Sequence, residues 1–450
     1  MTNVPAFREE PNMLPEDQVK SWMYIYYTSE TNTKPEEYWK NISRAFFESS
    51  KGTLKVNDEI KAATAEAISG ATTDEEKLRK IYQYCKTQIR NLSYTTNVTD
   101  DDWKKVNNAK NAVDTFRLKM GSPGDVDILF GAMARAAGFE TRLALSGDRS
   151  EMFFDPTVPN YRLMLNSTSI AVKLGDKWQF FSPADYYVPF GMLSWAQEAQ
   201  NVLISDSKEL IWSKSPLSPP DKSKEKRSGK FKLLEDGTLV GEARIEFTGH
   251  RSIYHKRYND SDSQAVRETT LRNFIYQNIQ GTAEIESFTI ENVTDSEKPF
   301  IYTFKIRVPG YASRTGKRLF FQPNVFERSS KPRFSSNSRK YDVYMSYPWS
   351  EDDEIVIELP SGFALESPDA PAAIEDTTQG IFSHKTTISI SNDGKFVGYK
   401  RNFFFGNKGF IRFPVTSYGQ VKNLFELINK ADVHQLTLRQ GDAPPPAKPN

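Results

Sequence analysis

Residues 121–142 read GSPGDVDILFGAMARAAGFETR, and this stretch carries both ends and the buried face of one helix. Ser122 is an N-cap residue type. Pro123 suits the first helical position, where its missing N–H would be unpaired anyway. Asp125 completes a Ser122-x-x-Asp125 capping arrangement at the positive end of the helix dipole. Val126, Leu129, Phe130, Met133, Ala136 and Ala137 recur at helical spacing and form a wide apolar face. Gly138 is a natural residue to follow the last turn. The pattern predicts a helix over 124–137 that lies at the centre of a core.

Outward from this helix the chain alternates in kind. Upstream, Lys34, Pro35, Glu36 and Glu37 open a helix through Trp39, Ile42 and Phe46, and 57–68 reads as a second. Thr73-x-x-Glu76 starts a third through residue 89, with Leu78, Ile81, Tyr82, Cys85 and Ile89 on its apolar face. Residues 92–106 are polar and aromatic and are expected to be a loop, with a short helix at 108–120. Downstream, 141–146, 169–174 and 177–181 read as strands, the last two around a Gly175–Asp176 turn. The segment ends near Trp212.

Residues 167–183 read STSIAVKLGDKWQFFSP. Together with 121–142 they resemble the transglutaminase-like proteins of the papain-related Cys-His-Asp superfamily. In that family the helix is preceded by a G-x-C-x-D pattern, a histidine opens a strand, and a carboxylate ends the next. The resemblance places the nucleophile position on Pro123, the histidine position on Ser167 and the carboxylate position on Ser182. The anchors Ile170, Val172 and Trp178 are kept, whereas all three catalytic side chains are replaced. The resemblance implies a fold class of α+β: a papain/transglutaminase-like core of helices plus antiparallel sheet, followed by a β-rich C-terminal domain with two helices. It also implies a bacterial protein with a periplasmic or extracellular setting. No signal peptide is visible in the chain.

The chemistry agrees with that loss. A cysteine nucleophile acts as a thiolate, activated by a helix N-terminus and an oriented histidine. The histidines are His250, His255, His384 and His434, so the first 249 residues contain none, and the single cysteine is Cys85. Cys85 falls on an apolar helix face, where cysteine is a small inert hydrophobe. Ser122 lies beside the lost nucleophile, but a serine needs a base and none is visible, so its reading is an N-cap. Asp125 and Asp127 are two carboxylates without further hard ligands, weak evidence for a metal. No cofactor-binding motif is present.

Composition bounds the partners. A chain of 450 residues with net charge +1 has length for two or three domains and no strong attraction to nucleic acid. No run of about 18 apolar residues predicts a membrane span. Residues 3–28 look like the last strands of a β-domain, with 23–27 a short β-prone run. The expected organisation is therefore 1–30 as remnant strands of a truncated N-terminal β-domain and 31–212 as the transglutaminase-like domain. Residues 213–229 (SKSPLSPPDKSKEKRSG) are expected to be a solvated linker. Residues 230–440 read as a β-rich domain and 441–450 as a disordered tail. Asp236–Gly237 and Asn392–Asp393–Gly394 mark hairpins. Helices are expected at 263–279 and 418–429.

Two functional classes follow. One is a non-catalytic binding or scaffold module of a bacterial cell envelope, kept for a protein or peptide in the ancestral cleft. The other is a transglutaminase- or cysteine-protease-like enzyme with relocated catalytic groups.

Overall fold

A computed structural model describes residues 6–21, 23, 25, 34–260, 263–280 and 282–441. Leu14–Ser218 form one compact unit; Pro219 onward, joined by Arg8–Met13, form a second. The division falls within the stretch expected to be a linker.

The first unit begins with helices α1 (Pro35–Thr53), α2 (Asp58–Ala67) and α3 (Asp74–Gln88). Each start was written in the sequence. Pro35 stands at the first position of α1 with Glu36 and Glu37 in the first turn. The Thr73 and Glu76 side chains form the reciprocal cap of α3. The expected loop at 92–106 is corrected: it contains α4 (Asp100–Asn107), capped by Thr99 and Asp102. Only Val106 of α4 is buried, so the helix lacks the apolar stripe by which helices are recognised. Then come α5 (Ala112–Leu118) and α6 (Pro123–Ala136).

Beside a short parallel pairing of Arg90–Asn91 with Met120–Gly121, five antiparallel strands form the main sheet of this unit. They are β1 (Thr141–Ser146), β2 (Ser167–Leu174), β3 (Lys177–Phe181), β4 (Asn201–Ile204) and β5 (Ile211–Lys214), in the order β3-β2-β1-β4-β5. Helix α6 packs on this sheet, and Leu129, Phe130 and Met133 are fully buried against Ile170, Val172 and Phe181. Gly131 makes the close approach possible. A Cβ there would stand 2.7 Å from Leu54 Cδ2 and 3.1 Å from Ile170 Cδ1.

The second unit is built on an eight-stranded sheet. Its strands are β6 (Lys224–Leu233), β7 (Leu239–Phe247), β8 (Glu284–Glu291), β9 (Phe300–Val308), β10 (Trp349–Glu358), β11 (Phe382–Ile390) and β12 (Phe396–Phe405), with Ile374–Glu375 at one edge. The order is β8-β9-β7-β6-β10-β12-β11 and then that edge. Within this sheet only the β6–β10 pairing is parallel. The helices are α7 (Gly249–Asp260), α8 (Gln264–Asn278) and α9 (Tyr418–Asp432). Two of these were expected; α7 is additional. Its sequence, GHRSIYHKRYND, offers no continuous apolar stripe to reveal it.

The linker is the main correction. Residues 224–229 are not an open linker but form six of the ten residues of β6, a central strand, with Lys226 exposed on its outer face. Its inward positions are Glu225, Arg227, Gly229, Phe231 and Leu233, all buried. The period-2 alternation of a strand is present, but two of its inward residues are charged. Arg227 Nε and Nη2 donate to the two Asp353 carboxylate oxygens at 2.5 and 2.9 Å, and Nη1 donates to Glu327 at 2.6 Å. Arg251 bridges Glu225 (2.5 Å) and Glu351 (2.6 Å). Arg401 donates to both Asp432 oxygens, at 2.6 and 2.9 Å. Burial alone would raise Glu351, but Arg251, Arg401 and Arg227 outweigh it and hold its carboxyl below the ordinary range.

The expected remnant at 1–30 is also revised. Arg8–Met13 pack with the second unit: the Asn12 carbonyl accepts from Tyr344 N (2.7 Å), and Glu10 accepts from the backbone of Lys340 and Tyr341. Glu16–Val19 is a short helix. Most of the β-prone run at 23–27, and the tail from residue 442, lie outside the described residues.

Candidate functional site

Each of the three positions singled out from the sequence has a defined place. Pro123 is the first residue of α6, half-buried, and Ser122 is its N-cap. The Asp125 carboxylate accepts the Ser122 N–H at 2.9 Å and the Ser122 hydroxyl at 2.6 Å, while Asp125 N donates back to Ser122 Oγ at 3.4 Å. The reciprocal cap satisfies donors that the helix end leaves open. It also occupies Ser122, whose carboxylate partner is already engaged by the cap.

Ser182 follows β3 and is buried. Its hydroxyl donates to Asp127 Oδ2 at 3.0 Å, and Ala184 N donates to Asp127 Oδ1 at 3.0 Å. Asp127 lies one turn into α6, so this carboxyl ties the end of β3 to the first turns of the helix. The segment after Ser182 is held from α3 as well. Tyr82 donates its hydroxyl to the Val188 carbonyl (3.1 Å), and Lys86 Nζ donates to the carbonyls of Asp185, Tyr186 and Val188 at 2.9, 2.8 and 2.5 Å. Asn91 Nδ2 reaches the Ala184 carbonyl at 3.1 Å. Sequence reasoning weighed Asp127 only as a metal ligand. The signal that marks its role was a lone carboxylate within the apolar run of α6.

Ser167 opens β2, at the same end of the β2–β3 hairpin as Ser182, because Ile170 pairs with Phe181. Its hydroxyl accepts from Gln197 Nε2 at 2.5 Å; the same nitrogen also reaches the Thr168 carbonyl at 3.3 Å. Ser194 in turn donates to Gln197 Oε1 at 3.2 Å. The fold thus gathers the positions around one end of helix and hairpin. Each of Ser122, Ser167 and Ser182 is committed to a partner of its own rather than to one another.

Cys85 is fully buried in the α3–α6 core. Burial, with the Asp127 charge adding to it, pushes its thiol above the ordinary range. It therefore carries no thiolate to act as a nucleophile. Among the described residues no group of three or more histidine, cysteine or carboxylate side chains is placed to hold a metal ion.

Asp127 itself gives a pH test. Burial is the main cause that raises its pKa well above 3.8, outweighing the bonds from Ala184 and Ser182. The folded protein thus binds this proton more tightly than the unfolded chain, and stability is lost as pH rises from about 4 through the raised value. Asp127→Asn keeps the bond from Ala184 N on its amide oxygen, turns the Ser182 bond round so that its amide donates to the hydroxyl oxygen, and removes the titration. Its urea midpoint is expected to exceed that of the wild type by more at pH 8 than at pH 4. The same offset at both pH values contradicts this account.

A cavity of about 430 Å³ in this unit is lined by Met152, Phe154, Asp155, Pro156, Met164 and Asn201 among others, and by none of the three positions.

Comparison with known proteins agrees with this architecture. Residues 61–183 match the model of the transglutaminase-like superfamily, and 317–438 match a domain of unknown function with a solved structure, DUF3858. The transglutaminase-like core and the β-rich C-terminal domain are both as expected from the sequence. No curated protein matches the chain. Among solved structures the chain is similar to a candidate protease from Parabacteroides distasonis, at 11% identity and a TM-score of 0.48, covering 89% of this chain. The chain spans 58% of that structure's length. A Rad4–Rad23 complex bound to a 6-4 photoproduct lesion also aligns, over 87% of this chain and 96% of that one, at 9% identity and a TM-score of 0.21. No described helix is long and apolar enough to cross a membrane.

Proposed function

We propose that the transglutaminase-like unit is a non-catalytic module, holding a peptide or protein segment without transforming it, in a protein of the bacterial cell envelope. One observation carries the reading. At all three catalytic positions the side chain is built into the scaffold: Pro123 starts α6, Ser182 is fastened to Asp127 and Ser167 to Gln197. Ser122, the substitute nucleophile nearest to them, is likewise held in the cap by Asp125. Retention of the helix–hairpin frame without its reactive groups fits a surface kept for contact, since fold and activity separate readily. The envelope setting is supported by the resemblance to bacterial proteins with flanking β-domains.

Pro123→Cys tests the module directly. The half-buried first position of α6 should yield a folded protein whose introduced thiol titrates below about 8.5, because the helix dipole favours the thiolate. Iodoacetamide at pH 7 should modify that introduced thiol in the folded variant and leave Cys85 untouched until denaturant is added. The variant should still turn over no glutamine peptide, for want of a histidine. An introduced thiol as unreactive as Cys85 would show that the helix end faces no accessible surface, and the binding reading would fall.

A further inference from the structure

The second unit contains a cavity of about 390 Å³ that no activity considered so far uses. Its charged lining is Arg227, Arg251, Arg333, Glu225, Glu327 and Glu351, three cations against three anions. Five of these six charges are committed to one another. Arg227 binds Glu327, and Arg251 spans Glu225 and Glu351. The Arg333 guanidinium lies 5.0 Å from the Trp349 ring centroid and donates to Asn12 Oδ1. A cationic ligand would have to break one of these desolvated pairs, and an anion would have to do the same or draw Arg333 away from Trp349 and Asn12, which is costly.

The uncommitted groups in the wall are neutral. The Tyr347 hydroxyl, both ring nitrogens of His255 and the Asn278 amide oxygen have no hydrogen-bond partner among the described residues, and all three side chains are half-buried in the lining. Burial, with Arg251 nearby, pushes His255 down to about 3, so its imidazole offers one donor and one acceptor at ordinary pH. At the rim, Tyr254 is 60% exposed, its ring 4.5 Å from that of Tyr258. An exposed aromatic face beside several mixed donors and acceptors matches a ligand with hydroxyls on its edge and C–H groups on its face. The volume lies within the range of small-molecule sites.

We propose that this cavity binds a neutral, hydroxyl-rich ligand of the saccharide class, stacked on Tyr254 and hydrogen-bonded by Tyr347, His255 and Asn278. The inference is independent of the reading of the transglutaminase-like unit, because it concerns different residues of a different unit.

The full chain can be titrated by ligand-observed saturation-transfer NMR. The neutral probes are glucose, galactose, N-acetylglucosamine and their β-linked disaccharides; the charged probes are glutamate, lysine and inorganic phosphate. At least one neutral saccharide should bind saturably, and the charged probes should not. Tyr347→Phe removes only a hydroxyl and Tyr254→Ala an exposed ring, so both variants should fold. Each should weaken binding by about tenfold, and at least fivefold, as expected for one lost hydrogen bond or stacking contact. Absence of any saccharide signal, a charged probe that binds as well, or less than a fivefold loss in either variant overturns the proposal.

Discussion

Arg227→Met is expected to destabilise the C-terminal unit by about 3–5 kcal/mol, the usual consequence of removing one partner from a buried ion pair. Arg227 is 4% exposed and makes a two-pronged contact with Asp353, besides its bond to Glu327. Methionine fills the volume but leaves Glu327 without its cation and the buried Asp353 with only the more distant Arg401, at 3.5 Å. Asp353 sits opposite Arg227 across the parallel β6–β10 pairing, so the damage should appear where those strands meet. Amide hydrogen exchange across Lys224–Leu233 and Trp349–Glu358 should accelerate by two orders of magnitude or more. The double replacement Arg227→Met with Asp353→Leu should cost less than the two single changes added together, because it removes the stranded charge with its partner. Native-like protection of these strands in Arg227→Met, or strict additivity, would show that the ionic layer is peripheral to this sheet.

Phe130→Ala should cost the first unit a similar amount, about 3–5 kcal/mol. Phe130 is fully buried at the centre of α6, its ring 5.4 Å from that of Phe181 and 6.0 Å from that of Tyr82. Those contacts join helix, hairpin and α3, so the cavity left by truncation has walls on three elements and little freedom to collapse. Cys85 belongs to the same core and provides the readout, since its alkylation requires the core to open. Under conditions where reclosing outpaces reaction, the alkylation rate should rise by roughly 10²- to 10³·⁵-fold, tenfold for each 1.4 kcal/mol. A rate within a few-fold of wild type would mean that α6 is not the keystone of the unit.

These two sites differ in how far they could be read in advance. The α6 region was legible because its local signals agree: a capping serine, a proline at the first position, a carboxylate in the first turn and an apolar stripe. The tight turns were legible for the same reason. Gly175, Gly237 and Gly394 adopt φ of 59°, 84° and 71°, a backbone region natural to glycine. By contrast, β6 was hidden because its buried face includes Glu225 and Arg227. Alternation was visible, but hydrophobicity was the wrong property to track, since Arg227 is solvated by Glu351 and Asp353, more than 100 positions away, and Glu225 by Arg251, 26 positions away. Helix α7 was hidden because its exposed face carries Tyr254 and Tyr258. Asp127 was legible as a carboxylate, though nothing local could announce its bond to a serine 55 positions downstream. The saccharide cavity draws on residues from 225 to 351, and only the folded sheet brings them together.

The central proposal is that the transglutaminase-like unit performs no acyl transfer, on the reading that Pro123, Ser167 and Ser182 stand at the family's catalytic positions and supply neither nucleophile nor base. The most direct measurement follows the purified full chain with a glutamine-containing peptide and a primary amine, scoring both transamidated and deamidated product over hours. The account predicts no product above a protein-free control, and no difference between wild type and Ser122→Ala. Time-dependent turnover that disappears in Ser122→Ala would contradict it and assign the nucleophile to Ser122, beside Pro123.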